Sequence, residues 1–134
     1  MRKNIPRSDC PISFALDFLG DKWSLLVIRD LIFEGKRFYK EFLNSKEGIA
    51  TNILSDRLKR LENAGIITSK VYEQLKTQKE YSLTQKGKDL IPVLVEIIVW
   101  SAKHQDGLAV SEEFIERAQK QRAQVIENIA ARLA

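Results

Sequence analysis

Between Ile49 and Gly65 the chain reads IATNILSDRLKRLENAG, and Ile53, Leu54, Leu58 and Leu61 recur at helical spacing. They form one apolar stripe. Thr51, Asn52, Ser55, Asp56 and Lys59 fall on the other side, and all but Asp56 can donate hydrogen bonds. Gly65 is a stop signal, because glycine accepts the left-handed backbone that commonly ends a helix. Upstream, Pro11 can open a short helix with Phe14, Ala15, Phe18 and Leu19 as its apolar face, closed by Gly20. Asp21 can cap a second helix from about Lys22 to Phe33, where Trp23, Leu26, Val27 and Leu31 are apolar on most sides; this helix is expected at the centre of the core. Gly35 breaks the chain, and Arg37 to Leu43 make a third helix with Phe38 and Phe42 four residues apart. Asn44 to Gly48 then turn into the Ile49–Gly65 segment. Two helices joined by a short turn are a helix-turn-helix unit.

Past Gly65 the period changes. Ile66 to Glu73 and Gln78 to Leu83 are short β-branched and aromatic runs around Gln74-Leu75-Lys76-Thr77, which predicts a β-hairpin with a basic tip. Thr84 is expected to cap one long helix whose buried face is Leu90, Val93, Leu94, Ile97, Ile98 and Ser101. Asp106-Gly107 makes a break. Ser111 can cap a single last helix with a stripe of Phe114, Ile115, Ala118, Val125, Ile126, Ile129 and Leu133. The predicted fold is mainly α with a small β-hairpin wing, a winged helix-turn-helix. Residues 1–104 form the DNA-binding domain, and the C-terminal helix in 105–134 belongs to the same compact unit.

At 134 residues the chain fits one domain with a proper core. Its 44% hydrophobic and 30% charged content is that of a soluble globular protein. The longest apolar run, Ile91 to Trp100, is short of a membrane span and contains Pro92 and Glu96. MRKNIPRSDCP at the N-terminus lacks the apolar segment of a signal peptide, so a cytoplasmic location and no membrane partner are expected. A single cysteine, Cys10, excludes an intrachain disulfide and a cysteine-cluster zinc site.

Charge is unevenly spread. Residues 36–88 carry twelve basic against six acidic side chains, net +6, whereas residues 1–35 and 111–134 are balanced. The positive field lies where the recognition elements are predicted, and it favours a polyanionic partner.

Several strings resemble the HxlR-type winged helix-turn-helix transcriptional regulators of bacteria and archaea. They are Cys10-Pro11, Gly20-Asp21-Lys22-Trp23, Arg37-Phe38, Gly48-Ile49, Leu58-Lys59-Arg60-Leu61, Gly65-Ile66-Ile67, Glu80-Tyr81-Ser82-Leu83-Thr84 and Gly87. Together they span residues 10 to about 104, and their order and spacing make the match specific. Two features depart from the family: Leu75-Lys76-Thr77 stands where proline is common in the wing tip, and the helix from Ser111 extends past the usual core. The resemblance implies a homodimer formed through the first helix and the helix after the wing. It also implies a sensing role for Cys10, since several relatives use a cysteine there against oxidants or electrophiles.

A recognition helix of this type lies in the major groove of double-stranded DNA with its N-terminal residues toward base edges. Asn52 is the candidate for direct reading, because an amide can bond both N6 and N7 of adenine. Thr51 and Ser55 can meet a base or a phosphate, and Lys59 the backbone. Asp56 can accept from cytosine N4 or pair with Arg60 four residues on; the ion pair is favoured. Arg57 can cover the core with its stem while its head reaches a phosphate. Arg37 starts the third helix, where backbone amides would add to phosphate binding, and Lys76 and Lys79 on the wing suit the minor groove or its phosphates. If about six phosphates are neutralised, log affinity falls with log salt at a slope near −5.

The stripe from Phe114 to Leu133 has little left in its own domain to cover. It either contacts a second copy, the preferred reading, or folds back on its own core. Cys10 also has two readings. A thiol at a helix start with Arg7 and Lys3 nearby can be reactive, although Asp9 opposes the thiolate; otherwise it is a small, partly buried residue. An enzyme is not expected, for His104 is the only histidine, and neither a phosphate loop nor a metal set is present. No cofactor is expected either. The function read from the chain is a sequence-specific transcriptional regulator, a repressor acting as a homodimer on a two-fold symmetric operator and responsive to a small electrophile or oxidant through Cys10. The alternative is a winged-helix protein-interaction module without DNA binding.

Overall fold

Pro11 opens α1 (Pro11–Leu19), and Asp21 caps the next helix from within the preceding turn, its carboxylate accepting from the Trp23 and Ser24 amides. The computed structural model describes residues 8–133. The helices after α1 are α2 (Ser24–Phe33), α3 (Tyr39–Leu43) and α4 (Thr51–Asn63). Strands β1 (Ile67–Val71) and β2 (Lys79–Leu83) follow, and α5 (Gln85–Lys88), α6 (Ile91–His104), α7 (Glu112–Lys120) and α8 (Arg122–Ala131) complete the order. The chain divides into two compact units, one ending at Thr84 and the other starting at Gln85.

In the first unit the apolar stripe of α4 is buried as its spacing requires, with Leu54, Leu58 and Leu61 inside. It packs against α2, which contributes Val27, Ile28, Leu31 and Ile32, and against α3, which contributes Phe42. Trp23, expected in the core, is only half-buried and lies under the Lys22 ammonium. α4 stops where glycine allows it: Gly65 has φ 76°, and the Ile66 amide returns to the Leu61 carbonyl at 3.0 Å. β1 and β2 form an antiparallel hairpin with Ile67 opposite Leu83 and Val71 opposite Lys79. Its strands are shorter than predicted, because residues 72–78 close on themselves through Leu75 to Tyr72 and Gln78 to Leu75 backbone bonds. The Thr84 hydroxyl donates to the Gly65 and Ile66 carbonyls and so closes the hairpin's base.

α1 buries none of its residues, and Ile12, Phe14 and Leu16 are exposed.

In the second unit the expected helix boundaries and the expected buried face of α6 are corrected. The helix after the wing is not continuous from Thr84: α5 ends at Lys88, and α6 restarts at Ile91, with Pro92 in its first turn where a missing amide hydrogen costs nothing. The last helix is two helices, broken at Gln121 (φ −134°, ψ 49°). The break lets both pieces pack on α6, as well as on each other. Ala118, Val125 and Ile129 are thereby buried within the chain, while Phe114, Ile115, Ile126 and Leu133 stay half-buried, so part of the C-terminal stripe folds back on α6. Val93 and Ile97, expected on the buried face of the helix after the wing, are exposed instead, and with Trp100 they form an apolar row on α6 at four- and three-residue steps.

Candidate nucleic-acid interface

α4 presents Thr51, Asn52, Ser55 and Lys59 to solvent, as its helical period requires once Leu54, Leu58 and Leu61 are inside. The start of α4 is fixed by a residue that sequence reasoning missed. Tyr39 on α3 donates its hydroxyl to the Thr51 carbonyl at 3.1 Å and lies 3.2 Å from the Ser55 hydroxyl. Asp56 pairs with Arg57 and, at 3.6 Å, with Arg60, the expected i,i+4 partner. Its charge is thereby offset before any phosphate approaches.

Arg57 does not reach out as expected. Its side chain is only 15% exposed, and its Nε donates to Asp21 at 3.0 Å. The stem covers the core as expected, while the head holds the loop before α2 to the recognition helix. Burial acts to raise the Asp21 carboxyl. Hydrogen bonds from Ser24 and Arg57, with the two capped amides, outweigh it and hold the group at about 2. The Arg57 guanidinium is correspondingly raised, mainly by Asp21.

Arg37 is also engaged within the chain, although its side chain stays exposed. Its guanidinium pairs with Glu80 on β2 and lies over the Phe38 ring. The amides expected to bind phosphate at the start of α3 are occupied as well: Arg37 and Phe38 both donate to Glu41 Oε1, at 2.8 and 3.1 Å. An acid three residues into a helix returns to its own terminus in this way.

These contacts join the wing to α3. The Tyr81 amide donates to the Arg37 carbonyl at 2.8 Å, and edge-on ring contacts link Phe38 with Tyr72 and Phe42 with Tyr81. Lys76, in the loop, and Lys79, at the start of β2, are both exposed. The turn before α4 is held from the other side by α2. Arg29 donates to both oxygens of Glu47, at 2.7 and 3.0 Å, while bonding the buried Asp30. The Arg29 and Ser45 bonds hold Glu47 at about 2, and Glu47 in turn raises the Arg29 guanidinium.

The α2–α3–α4 arrangement with a hairpin behind it is matched by a family model described as HxlR-like helix-turn-helix over residues 18–108. The chain belongs to the HxlR-like helix-turn-helix family. An uncharacterized HTH-type transcriptional regulator of Synechocystis is 43% identical over 86 residues, 64% of this chain and 63% of that protein. Among solved structures, the redox regulator HypR in its oxidized form is 33% identical with a TM-score of 0.63, over 73% of this chain and 100% of that one. The quinone-bound YodB from B. subtilis is also 33% identical, with a TM-score of 0.58 over 70% of this chain and 99% of that one. The protein is thus an HxlR-type transcriptional regulator with a winged-helix fold.

The HxlR-like match starts after Cys10. That residue is exposed and occupies the N-cap position of α1, where its amide donates to the Ser8 hydroxyl at 3.2 Å. Lys3 and Arg7, the cations expected beside it, lie outside the described residues. No helix among those residues is long and apolar enough to cross a membrane.

Proposed function

We propose that this HxlR-type regulator is a cytoplasmic, sequence-specific repressor that binds a two-fold symmetric operator as a homodimer. The carrying observation is the row of exposed donors, Thr51, Asn52, Ser55 and Lys59, along one face of a recognition helix whose first turn is tied down by Tyr39. Asn52 reads a base edge, and Thr51, Ser55, Lys59, Lys76 and Lys79 supply further base or backbone contacts. Arg57 and Arg37 act as positioning residues, since each already has a carboxylate partner. Repression requires only that the bound protein block polymerase.

A second copy supplies cover for the exposed apolar residues of α1 and of α6, with Ile12 71% and Trp100 64% exposed in one chain. Two recognition helices then address half-sites about one helical turn apart. The likeness to a redox regulator and to a quinone-bound regulator supports a response to oxidants or electrophiles, carried here by Cys10. The test is selection of bound duplexes from a randomised DNA library, with and without diamide. A symmetric motif that is enriched, and lost with diamide, is the expected result. No enrichment at low salt in either condition would overturn the reading in favour of a protein-interaction module.

A further inference from the structure

With the α3 amides closed by Glu41 and Arg37 turned to Glu80, the phosphate anchor predicted at that end of the helix is gone. A different one stands beside it. Tyr39 and Lys40 on α3 face Thr77, Gln78, Lys79 and Tyr81 of the wing across an open cleft of about 410 Å³. We propose that this cleft seats one phosphodiester of the DNA backbone, held between the ammonium groups of Lys40 and Lys79. The inference rests on the DNA-binding reading above.

Three observations carry it. No carboxylate lines the cleft, and neither lysine has an ion-pair partner among the described residues. The nearby acids are engaged, Glu41 by two amides and Glu80 by Arg37. The lining is rich in donors, with two ammonium groups, the Thr77 and Tyr81 hydroxyls and the Gln78 amide, which suits an anion with several acceptor oxygens.

The walls are also fixed. The Tyr81–Arg37 backbone bond and the Arg37–Glu80 pair hold β2 to α3, so the two lysines come from elements that are already docked. Tyr39, which also lines the cleft, is bonded to Thr51 and Ser55. A phosphate seated here is one side chain away from the donors of α4, which is how a backbone contact sets the register of base contacts. Lysine ammonium groups act as point charges, so the seat tolerates the passing of a strand without demanding one phosphate orientation.

The test uses the full chain and a fluorescent duplex of fixed mixed sequence, several helical turns long. Affinity is measured over a range of salt for the wild type, the Lys40→Gln/Lys79→Gln double variant and a Lys103→Gln control. The double variant is expected to keep the wild-type melting temperature and to lose about 0.9 from the slope of log affinity against log salt, the share of one phosphate. The control is expected to keep the slope. A methylphosphonate scan of a duplex enriched by selection should then show one neutralised position per half-site that weakens the wild type and leaves the double variant unaffected. An unchanged slope in the double variant, or an identical scan in both proteins, overturns the seat while leaving DNA binding intact. Saturable binding of inorganic phosphate at cellular concentration, lost in the double variant, would assign the cleft to a free anion instead. Failure of the wild type to bind any duplex at low salt would overturn the regulator reading and this inference together.

Discussion

Arg57 Nε lies 3.0 Å from Asp21 Oδ1, so the recognition helix is fastened to the loop that starts α2 by a guanidinium that points inward. Asp21 also caps α2 through Trp23 and Ser24. Removing the arginine leaves that carboxylate with one charged partner fewer. Arg57→Gln is expected to lower the unfolding free energy by about 1.5–3 kcal/mol, the usual range for a hydrogen bond to a charged group. It should leave the salt slope of DNA binding unchanged. Denaturant melts and salt titrations check the two halves separately, and a reduced slope with wild-type stability would return Arg57 to the DNA contacts.

Acid should loosen the turn before the recognition helix. Glu47 is held at about 2 against an ordinary 4.5 by the Arg29 and Ser45 bonds. A depressed folded value means that the carboxylate adds stability above its unfolded value and that this is lost as the pH falls. The Glu47 contribution is therefore full above about pH 4.5 and fades toward pH 2. Asp21 behaves alike from its ordinary 3.8 downward. In urea melts across this window, Glu47→Gln should be less stable than the wild type at neutral pH and converge with it in acid. A constant gap would remove the linkage.

The proposed dimer would rest on the apolar rows that one chain leaves open on α1 and α6. Trp100→Glu is expected to give a monomer in sedimentation at concentrations where the wild type is a dimer. Operator affinity should drop by about 100-fold as the second half-site ceases to be tethered. A dimeric Trp100→Glu protein would move the interface elsewhere.

Cys10→Ser should bind DNA as the wild type does and lose its response to diamide or to a quinone. Gel shifts with both proteins, treated and untreated, decide it; an equal response in the two ends the sensing role.

The elements with strong local signals could be read from the chain. The recognition helix was legible because Leu54, Leu58 and Leu61 keep helical register up to Gly65, and the hairpin because β-branched and aromatic residues cluster on both sides of Gln74–Thr77. What failed was non-local. Arg37 meets Glu80 forty-three residues on, and the Tyr39 hydroxyl finds a main-chain carbonyl on another helix, a partner that no residue pattern encodes. The Glu41 cap was nearer, and an acid just inside a predicted helix start is a signal that could have found it. At Gln121 neither glycine nor proline marks the break; the packing of α7 and α8 on α6 sets it, against local propensity.

Of the two tryptophans, Trp23 is half-buried beside Lys22, while Trp100 stands open with His104 against its ring at 5.0 Å. One indole thus reports the helix-turn-helix and the other the open row on α6. The protein carries its own optical gauge of assembly: closing a second copy over Trp100 would shift its emission toward the blue, and the midpoint of that shift on dilution would give the association constant with no label attached.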